Sequence, residues 1–590
     1  MFQNIKIATA AAVLSTIAPA VAIPAKEYFF DTIPASQELV WYPCNQTFEC
    51  ARLSVPLNPL EPNNGLRSEI PIIKYPADES DEYKGMILTN PGGPGFSGVG
   101  FLLNAATLIA DLTGEGWDVI GFDTRGTGYS KPNGAVGYGN VPLSPKLQNA
   151  SNIGPHQLMK RSAKADNFGI KIPSSPDSWV QKQYELGIEL DTLIQKNANM
   201  DNQAVPYMTT PNVAFDMLEI AKADARSQGL SDEAVLVNFF GISYGTVIGQ
   251  TFAALYPQHV GRFVMDGVVD IDDYYGGKMG PTRFDEGIAT FFTSCFNAGP
   301  EVCSFYTGNS QNDIRNRFNN LMAHFDSSKA IAEKWENATI IQGARDAVRG
   351  LLMFTPYDAM ANFPLLAESL TSLEEWVKAD TVLENRETFL QWSADQFALP
   401  DRMEYFFEIL CSDMNNELVG SKQLSKDFTD SLRQSSVVAG ESYIAQYAIC
   451  SRLQLKSKSK FNGKIGGDTK NPMLFVGSSG DPVTPFENAE RAQKRYKGSQ
   501  MVYVESDAHG ILGQSNKCAD DTVRAYFQNL TLPGQNNRCS ADASVRDQPW
   551  HTPKKSNAGS ITLDPLHIFG SGTVLMVLLL TGLDVVNIIL

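Results

Sequence analysis

A strand–turn–helix around one serine is the feature that most constrains this chain. Residues 234–240 form an apolar run of strand type, and a helical pattern follows over residues 245–256. Between them stands Gly241-Ile242-Ser243-Tyr244-Gly245. Its glycines allow a sharp turn that projects the serine hydroxyl above the carboxyl edge of a sheet. Ser243 is therefore a candidate nucleophile, and the backbone N–H of Tyr244 is a candidate donor to an oxyanion.

Five further apolar segments predict strands of the same sheet. They are residues 86–89, 117–122, 262–265, 473–476 and 501–504. Helical patterns alternate with these segments, as at residues 211–223. This alternation is typical of an α/β fold with a mostly parallel central sheet, whose chemistry lies at the carboxyl ends of the strands.

The middle of the chain has a different pattern. Residues 313–325, 331–335 and 373–397 have helical spacing with polar faces, which predicts a helical cap inserted into the sheet domain. We expect the following organisation: a first core segment at 23–270, the cap at 271–464, a second core segment at 465–540 and a linker at 541–566.

A serine hydroxyl needs a general base to act as a nucleophile. In hydrolases built on this strand–turn–helix, the chain order is serine, acid, histidine. Of the six histidines, His509 fits this order, because it lies in a loop just after the strand predicted at 501–504. Asp481 follows the preceding strand and is the favoured acid. Asp507 and Glu505 are the alternatives, since both stand close to His509 in the sequence.

A second glycine-rich turn is predicted to complete the site. Gly92-Gly93-Pro94-Gly95 follows the strand at 86–89 directly. A backbone N–H in this turn, with that of Gly93 favoured, would be the second oxyanion donor beside Tyr244. Asp266, another acid at a strand end, is interpreted as a loop anchor rather than a second catalytic acid.

Several features indicate an oxidising compartment. Residues 1–22 resemble a secretory signal peptide, with the cleavage pattern Ala20-Val21-Ala22 at its end. N-glycosylation sequons follow at Asn45, Asn149, Asn337 and Asn529. Eight cysteines suit secretion, and their proximity in the sequence predicts four disulfides: Cys44–Cys50, Cys295–Cys303, Cys411–Cys450 and Cys518–Cys539.

The C-terminal tail, residues 567–590, carries a strongly apolar stretch. Small residues at 556–560 precede it, which is typical of a GPI-attachment signal. A transmembrane helix is the alternative, because the stretch is long enough to span a bilayer. Both hypotheses attach the protein to a membrane through this tail.

The formal net charge of −17 argues against nucleic acid as a partner, because binding to phosphates requires basic patches. The chain contains no Cys-x-x-Cys, and the predicted chemistry implies no metal and no organic cofactor.

Taken together, the motifs resemble the tripeptidyl-aminopeptidase and prolyl-aminopeptidase branch of the α/β-hydrolase family. The matching segments are 90–95, 123–130, 241–246, 264–270 and 480–485. The resemblance implies an α/β-hydrolase fold, the same triad and a peptide substrate. It also implies an acidic partner for the substrate's N-terminal ammonium, for which Asp413 in Cys411-Ser412-Asp413 and Glu408 are candidates.

These observations predict a secreted serine exopeptidase that releases residues or tripeptides from peptide N-termini. A carboxylesterase or lipase with the same triad is one alternative. A non-catalytic surface binding protein on this fold is the other, although a binding protein would not need Ser243, Asp481 and His509 together.

Overall fold

The computed structural model describes most of the chain between residues 30 and 540. The described ranges are 30–134, 177–198, 204–276, 283–326, 355–379, 403–414 and 446–540, together with residue 352 and apart from positions 46, 456, 513, 515, 535 and 536. The predicted signal peptide, linker and C-terminal tail lie outside these ranges, as do Asn149 and Asn337. Within the ranges, no helix has the length and apolar character needed to cross a bilayer.

The described strands form one ten-stranded sheet. They are β1 (Tyr42–Cys44), β2 (Phe48–Pro56), β3 (Arg67–Tyr75), β4 (Gly85–Asn90), β5 (Trp117–Phe122), β6 (Val237–Ile242), β7 (Val260–Asp266), β8 (Leu474–Ser478), β9 (Gln500–Val504) and β10 (Arg538–Cys539). Their order across the sheet is β1-β2-β3-β5-β4-β6-β7-β8-β9-β10. β1, β2 and β3 are antiparallel, and β3 also meets β5 in antiparallel fashion. All pairs from β5 to β10 are parallel.

Helices cover both faces of the parallel strands, which is why those strands are continuously apolar. All six residues of β5 are buried. α1 (Gly98–Thr113) and α11 (Lys517–Asn529) pack in one apolar cluster. α3 (Thr210–Ser227) and α4 (Tyr244–Leu255) belong to a second cluster.

The sheet has a topological switch point between β4 and β6. The chain runs from β4 outward to β5 and later returns to β6 on the other side of β4. Asn90, the last residue of β4, is paired with Gly241 in β6. Ligand sites of open parallel sheets lie at such points, beyond the carboxyl ends of the strands. The Gly92–Gly95 turn and Ser243 both follow this edge directly.

Between β7 and β8 the described chain is helical. It contains α5 (Ile271–Gly276), α6 (Phe284–Ala298), α7 (Gln311–Asp326), α8 (Ala359–Ala379) and α9 (Met403–Asp413). α6, α7 and α8 share an apolar cluster of their own, whereas α9 packs into the cluster that contains α3 and α4. The helical character agrees with the predicted cap, and the boundaries at 271 and 464 stay a prediction. α2 (Asp177–Ala198) precedes α3, and α10 (Phe486–Arg495) connects β8 to β9.

The six strands predicted in the core are all present, with ends that differ by at most a few residues. The pattern missed four strands. In β2 and β3, charged residues such as Glu49, Arg52 and Lys74 interrupt the apolar runs, and β1 and β10 have only three and two residues. The four predicted disulfides are confirmed in the structure. Asn45 and Asn529 are exposed to solvent, as glycosylation would require.

Candidate active site

Ser243 occupies a strained turn between β6 and α4. Its backbone has φ 56° and ψ −121°, a conformation that few residues other than glycine adopt. The backbone N–H of Ser243 donates to the carbonyl of Asp266 at 3.0 Å, which holds the turn against the end of β7. Strain of this kind persists where the surroundings fix the backbone, and it is concentrated at functional sites. The side chain is partly exposed, at the carboxyl edge predicted from the sequence.

The glycine-rich turn after β4 lies directly against the serine turn. A Cβ added to Gly92 would come within 2.8 Å of Ser243 Cβ and 3.0 Å of Tyr244 N. Gly92 and Gly93 also have φ values of 99° and 109°, which side chains other than hydrogen rarely allow. The structure therefore brings the two predicted backbone donors, Gly93 and Tyr244, to neighbouring turns at the switch point.

Asp481 and His509 form a hydrogen-bonded pair. His509 Nδ1 lies 2.9 Å from Asp481 Oδ2 and 3.1 Å from Oδ1. The carboxylate also accepts hydrogen bonds from the backbone N–H groups of Val483, Thr484 and Gly510, and from the Thr484 hydroxyl. Together these donors fix the position of a fully buried carboxylate against the His509 ring. The alternative acid Asp507 is exposed to solvent.

The ring of His509 is largely enclosed, with 6% of its side chain exposed. Burial lowers the pKa of His509, but the carboxylates of Asp481 and Asp266 outweigh it and hold this pKa above its ordinary value. Nε2 makes no hydrogen bond within the described part of the chain. The ring stacks edge-to-face on Tyr357, at 5.0 Å between centroids, and the Tyr357 carbonyl accepts the backbone N–H of His509 at 3.3 Å.

Asp266 stands between the serine turn and the histidine loop. Its Oδ2 accepts a hydrogen bond from the backbone N–H of Ile511 at 2.9 Å, which supports its interpretation as a loop anchor. Its Oδ1 has no hydrogen-bond partner among the described residues. Burial raises the pKa of Asp266 to about 7, although the Ile511 N–H and the charge of His509 favour its ionised form.

The two candidate amine-binding residues are both on α9 and have different surroundings. Asp413 is fully buried, and its two oxygens accept hydrogen bonds from the backbone N–H and hydroxyl of Thr210 and from the Tyr274 hydroxyl. This arrangement argues against amine binding by Asp413. Glu408, also buried, lies one helical turn from Tyr405, which packs against Gly95 of the glycine-rich turn.

Two residues that contact the Asp481–His509 pair were not predicted from the sequence. Thr484, in the segment that carries Asp481, places its hydroxyl 2.8 Å from Asp481 Oδ2 and 3.1 Å from His509 Nδ1. A turn residue three positions after the acid was the available signal. Tyr357 reaches His509 from the insertion, more than 100 residues away in sequence, and no local pattern pointed to it. Over the described ranges, no group of three or more potential metal ligands occurs.

Two family models match the chain. One is described as alpha/beta hydrolase fold and matches residues 85–294, and the other is described as TAP-like protein and matches residues 435–539. These matches, the strand order and the serine turn define the class: the chain belongs to the α/β-hydrolase family. Within it, the second match indicates the branch that is similar to tripeptidyl aminopeptidases.

Full-length relatives agree with this assignment. The tripeptidyl aminopeptidase of Streptomyces lividans is 24% identical over 510 residues, which are 84% of this chain and 84% of that protein. The serine protease Hip1 of Mycobacterium tuberculosis (strain H37Rv) is 22% identical over 545 residues, which are 85% of this chain and 91% of that protein. The chain is therefore a serine hydrolase of the peptidase type, and the hypothesis of a non-catalytic binding protein is not retained.

Two more distant likenesses complete the comparison. Carboxylesterase B of Mycobacterium tuberculosis (strain CDC 1551) is 39% identical over 88 residues, which are 15% of this chain and 16% of that protein. Among solved structures, the proline iminopeptidase of Mycobacterium smegmatis aligns over 81% of this chain and 98% of its own, with 11% identity and a TM-score of 0.28. At that TM-score the structural likeness adds nothing to the family assignment.

Proposed function

We propose that Ser243, His509 and Asp481 act as a catalytic triad. The observation that carries this proposal is the Asp481–His509 hydrogen bond at the same sheet edge as the strained Ser243 turn. Asp481 accepts Nδ1–H, which leaves Nε2 as the basic nitrogen of a neutral imidazole. As the Ser243 hydroxyl oxygen attacks a carbonyl carbon, Nε2 takes the hydroxyl proton. Nε2 later donates this proton to the leaving group. Water then hydrolyses the acyl-enzyme by the same proton transfers.

The backbone N–H groups of Gly93 and Tyr244 are proposed to hold the oxyanion that forms in each step. The close approach of Gly92 to Ser243 and Tyr244 supports this role, because it places the two turns side by side. Backbone donors held by strained turns need little reorganisation when charge develops, which is why they stabilise the transition state more than the ground state.

The proposed reaction is release of residues or tripeptides from the free N-terminus of a peptide. The relatives named tripeptidyl aminopeptidase support it. We place the proposed subsite for the N-terminal ammonium at Glu408, because α9 packs on the glycine-rich turn through Tyr405, one helical turn before Glu408. The ammonium of a bound peptide would give this buried carboxylate an opposite charge, as buried charges in proteins usually have.

The protein is proposed to work outside the cytosol. The four disulfides support this location, since such bonds persist in oxidising compartments. The exposed sequon asparagines Asn45 and Asn529 are also compatible with it. Attachment through a GPI anchor at the C-terminal tail completes this proposal, and release by a phosphatidylinositol-specific phospholipase would test it.

The triad is tested by covalent labelling with a fluorophosphonate probe. Ser243→Ala should abolish both labelling and peptide hydrolysis. Ser80→Ala is the matched control, because Ser80 is exposed and its side chain bonds with nearby Asp78. Labelling that persists in Ser243→Ala, or that disappears in Ser80→Ala, would contradict the assignment.

The reaction is tested by digesting a peptide library with free and with N-acetylated termini and identifying the products by mass spectrometry. An aminopeptidase should cleave the free peptides and leave the acetylated ones intact. The second candidate, a carboxylesterase, is suggested by the short likeness to carboxylesterase B. It predicts rapid hydrolysis of simple esters with no effect of N-acetylation.

A further inference from the structure

A buried chain of hydrogen bonds connects α9 to the residue after the candidate nucleophile. Thr210 Oγ1 donates to Asp413 Oδ2 at 2.5 Å and lies 2.7 Å from the hydroxyl of Tyr244. The backbone N–H of Thr210 donates to Asp413 Oδ1 at 2.8 Å. Thr210 and Asp413 are fully buried, and Tyr244 is 2% exposed.

The direction of these hydrogen bonds follows from the number of hydrogens that each group carries. A carboxylate can only accept, so the single hydroxyl hydrogen of Thr210 points to Asp413. The Tyr244 hydroxyl must then donate to Thr210 Oγ1. Asp413 thus orients the Thr210 hydroxyl directly and, through it, the Tyr244 hydroxyl. The backbone N–H of Tyr244 is also the proposed oxyanion donor.

The anchor at the far end of the chain is itself held firmly. The Tyr274 hydroxyl donates to Asp413 Oδ2 at 2.9 Å, and the ring of Tyr274 packs on that of Tyr244 at 5.7 Å between centroids. The Cys411–Cys450 disulfide fixes α9 two residues before Asp413. Lys460 donates to the backbone carbonyl of Met414, the next residue, at 2.6 Å.

We infer that Asp413 is a positioning residue that fixes the Tyr244 N–H in the oxyanion hole by way of Thr210 and the Tyr244 hydroxyl. This inference rests on the proposed function for the role of Tyr244, but it holds equally for peptide and ester substrates. It replaces the amine-binding role that the sequence suggested for Asp413. Because Tyr244 begins α4 immediately after Ser243, a displacement of its anchored side chain that is passed to its Cα moves the donor relative to the reacting carbonyl.

The test compares Asp413→Asn, Tyr244→Phe and the double variant on two substrates: a free-amine peptide and p-nitrophenyl butyrate, which has no amine. The amide that replaces the carboxylate can still accept from the Thr210 N–H, but its NH₂ group cannot accept from the hydroxyl. We expect each single variant to lower kcat roughly tenfold or more on both substrates, with KM changed less than about twofold. The affinity for a peptide boronic acid, which mimics the oxyanion, should fall by a similar factor.

The double variant and a matched control make the inference falsifiable. If Asp413 acts through the Tyr244 hydroxyl, Asp413→Asn with Tyr244→Phe should be no slower than either alone. Tyr526→Phe is the control, because the buried Tyr526 hydroxyl bonds with the Pro472 carbonyl and the Phe263 N–H, away from Asp413, Thr210 and Tyr244, and its kcat should be unchanged. If Asp413→Asn fails to fold, Tyr244→Phe alone decides, since it keeps the ring in the core.

Three results would overturn the inference. They are a rise in KM for the peptide alone, which would assign Asp413 to an amine subsite; additive effects of the two substitutions; and an unchanged kcat in Tyr244→Phe. Equal cleavage of free and N-acetylated peptides by the wild-type enzyme would refute the aminopeptidase assignment separately, because the ester measurements do not depend on that assignment.

Discussion

The carboxylate of Asp266 accepts a 2.9 Å hydrogen bond from the backbone N–H of Ile511, two residues beyond His509. The backbone carbonyl of the same aspartate accepts the N–H of Ser243 at 3.0 Å. One residue at the end of β7 therefore joins the loop of the proposed base to the turn of the proposed nucleophile. Its negative charge also raises the pKa of His509.

Replacing Asp266 by asparagine should shift the pH profile. Because the Asp266 carboxylate favours the imidazolium form of His509, its removal lowers the pKa of His509. The acidic limb of kcat/KM, measured on one peptide, should then move to lower pH. Asp272→Asn is the control, since Asp272 pairs with Arg495 on the surface. A limb that stays in place in Asp266→Asn, or moves equally in the control, would contradict this prediction.

Asparagine at Asp481 should be far more damaging than asparagine at Asp507. Asp481 bonds directly with His509 Nδ1, so its loss removes the acceptor that sets the tautomer, and kcat should fall roughly 10⁴-fold. Asp507→Asn is the matched substitution in the histidine loop and should change kcat less than about twofold, because Asp507 is exposed. Steady-state measurement of kcat on one peptide compares the two variants. A larger loss of kcat in Asp507→Asn than in Asp481→Asn would make Asp507 the acid of the triad.

Alanine at Gly92 should block catalysis beyond its effect on stability. The added Cβ would lie 2.7 Å from the Ile242 carbonyl oxygen and 3.0 Å from Tyr244 N, so the oxyanion turn must shift. Gly65→Ala is the control, because Gly65 also has a positive φ, 84°, but has open space around it. Both variants should lose about 1 kcal/mol or more in the free energy of unfolding, and only Gly92→Ala should lose kcat, by roughly 100-fold. Equal activities would show that the turn tolerates the shift.

The protein should be most stable at mildly acidic pH. Burial raises the pKa of Asp266 to about 7 and that of Asp413 to about 6, from an ordinary value of 3.8. A carboxyl with a raised pKa contributes stability below its unfolded pKa, and this contribution is lost as the pH rises through the folded pKa. The raised pKa of His509 acts in the same direction, because its contribution is fully present below the unfolded pKa of 6.5 and is lost as the pH rises through the higher folded pKa.

The free energy of unfolding should therefore fall between about pH 4 and pH 8, by roughly 2 kcal/mol or more. Thermal unfolding at pH 5 and pH 7.5 measures this difference as a lower Tm at the higher pH. Asp266→Asn should reduce the difference, because it removes one titrating group. A Tm that rises toward pH 7.5 would contradict the prediction.

The core of the candidate site was visible in the sequence because each part follows a buried parallel strand. Such strands are continuous apolar runs, and Ser243, Asp481 and His509 stand within a few residues of their ends. Glycine also made the two turns recognisable, and the distances around Gly92 show that a side chain would clash there. Local sequence patterns are therefore sufficient to predict site residues that follow a strand end directly.

The parts that escaped prediction depend on contacts between distant segments. Asp413 sits in a motif that suggested amine recognition, but its environment is set by Thr210, 203 positions away. The edge-to-face contact of Tyr357 with His509 likewise joins the insertion to the second core segment. No periodicity or spacing encodes such pairings, because they arise only when the helices pack against the sheet.

The placement of the helical insertion between β7 and β8 has a consequence for biosynthesis. A ribosome completes the strand and turn of the proposed nucleophile at residue 243, but it must add more than 200 further residues before either of its proposed partners, Asp481 and His509, exists. Throughout this interval, and in any truncated product that ends before β9, the Ser243 hydroxyl lacks the proposed base. On the proposed mechanism, the enzyme is therefore inert during synthesis and becomes active only after the last parallel strands have joined the sheet.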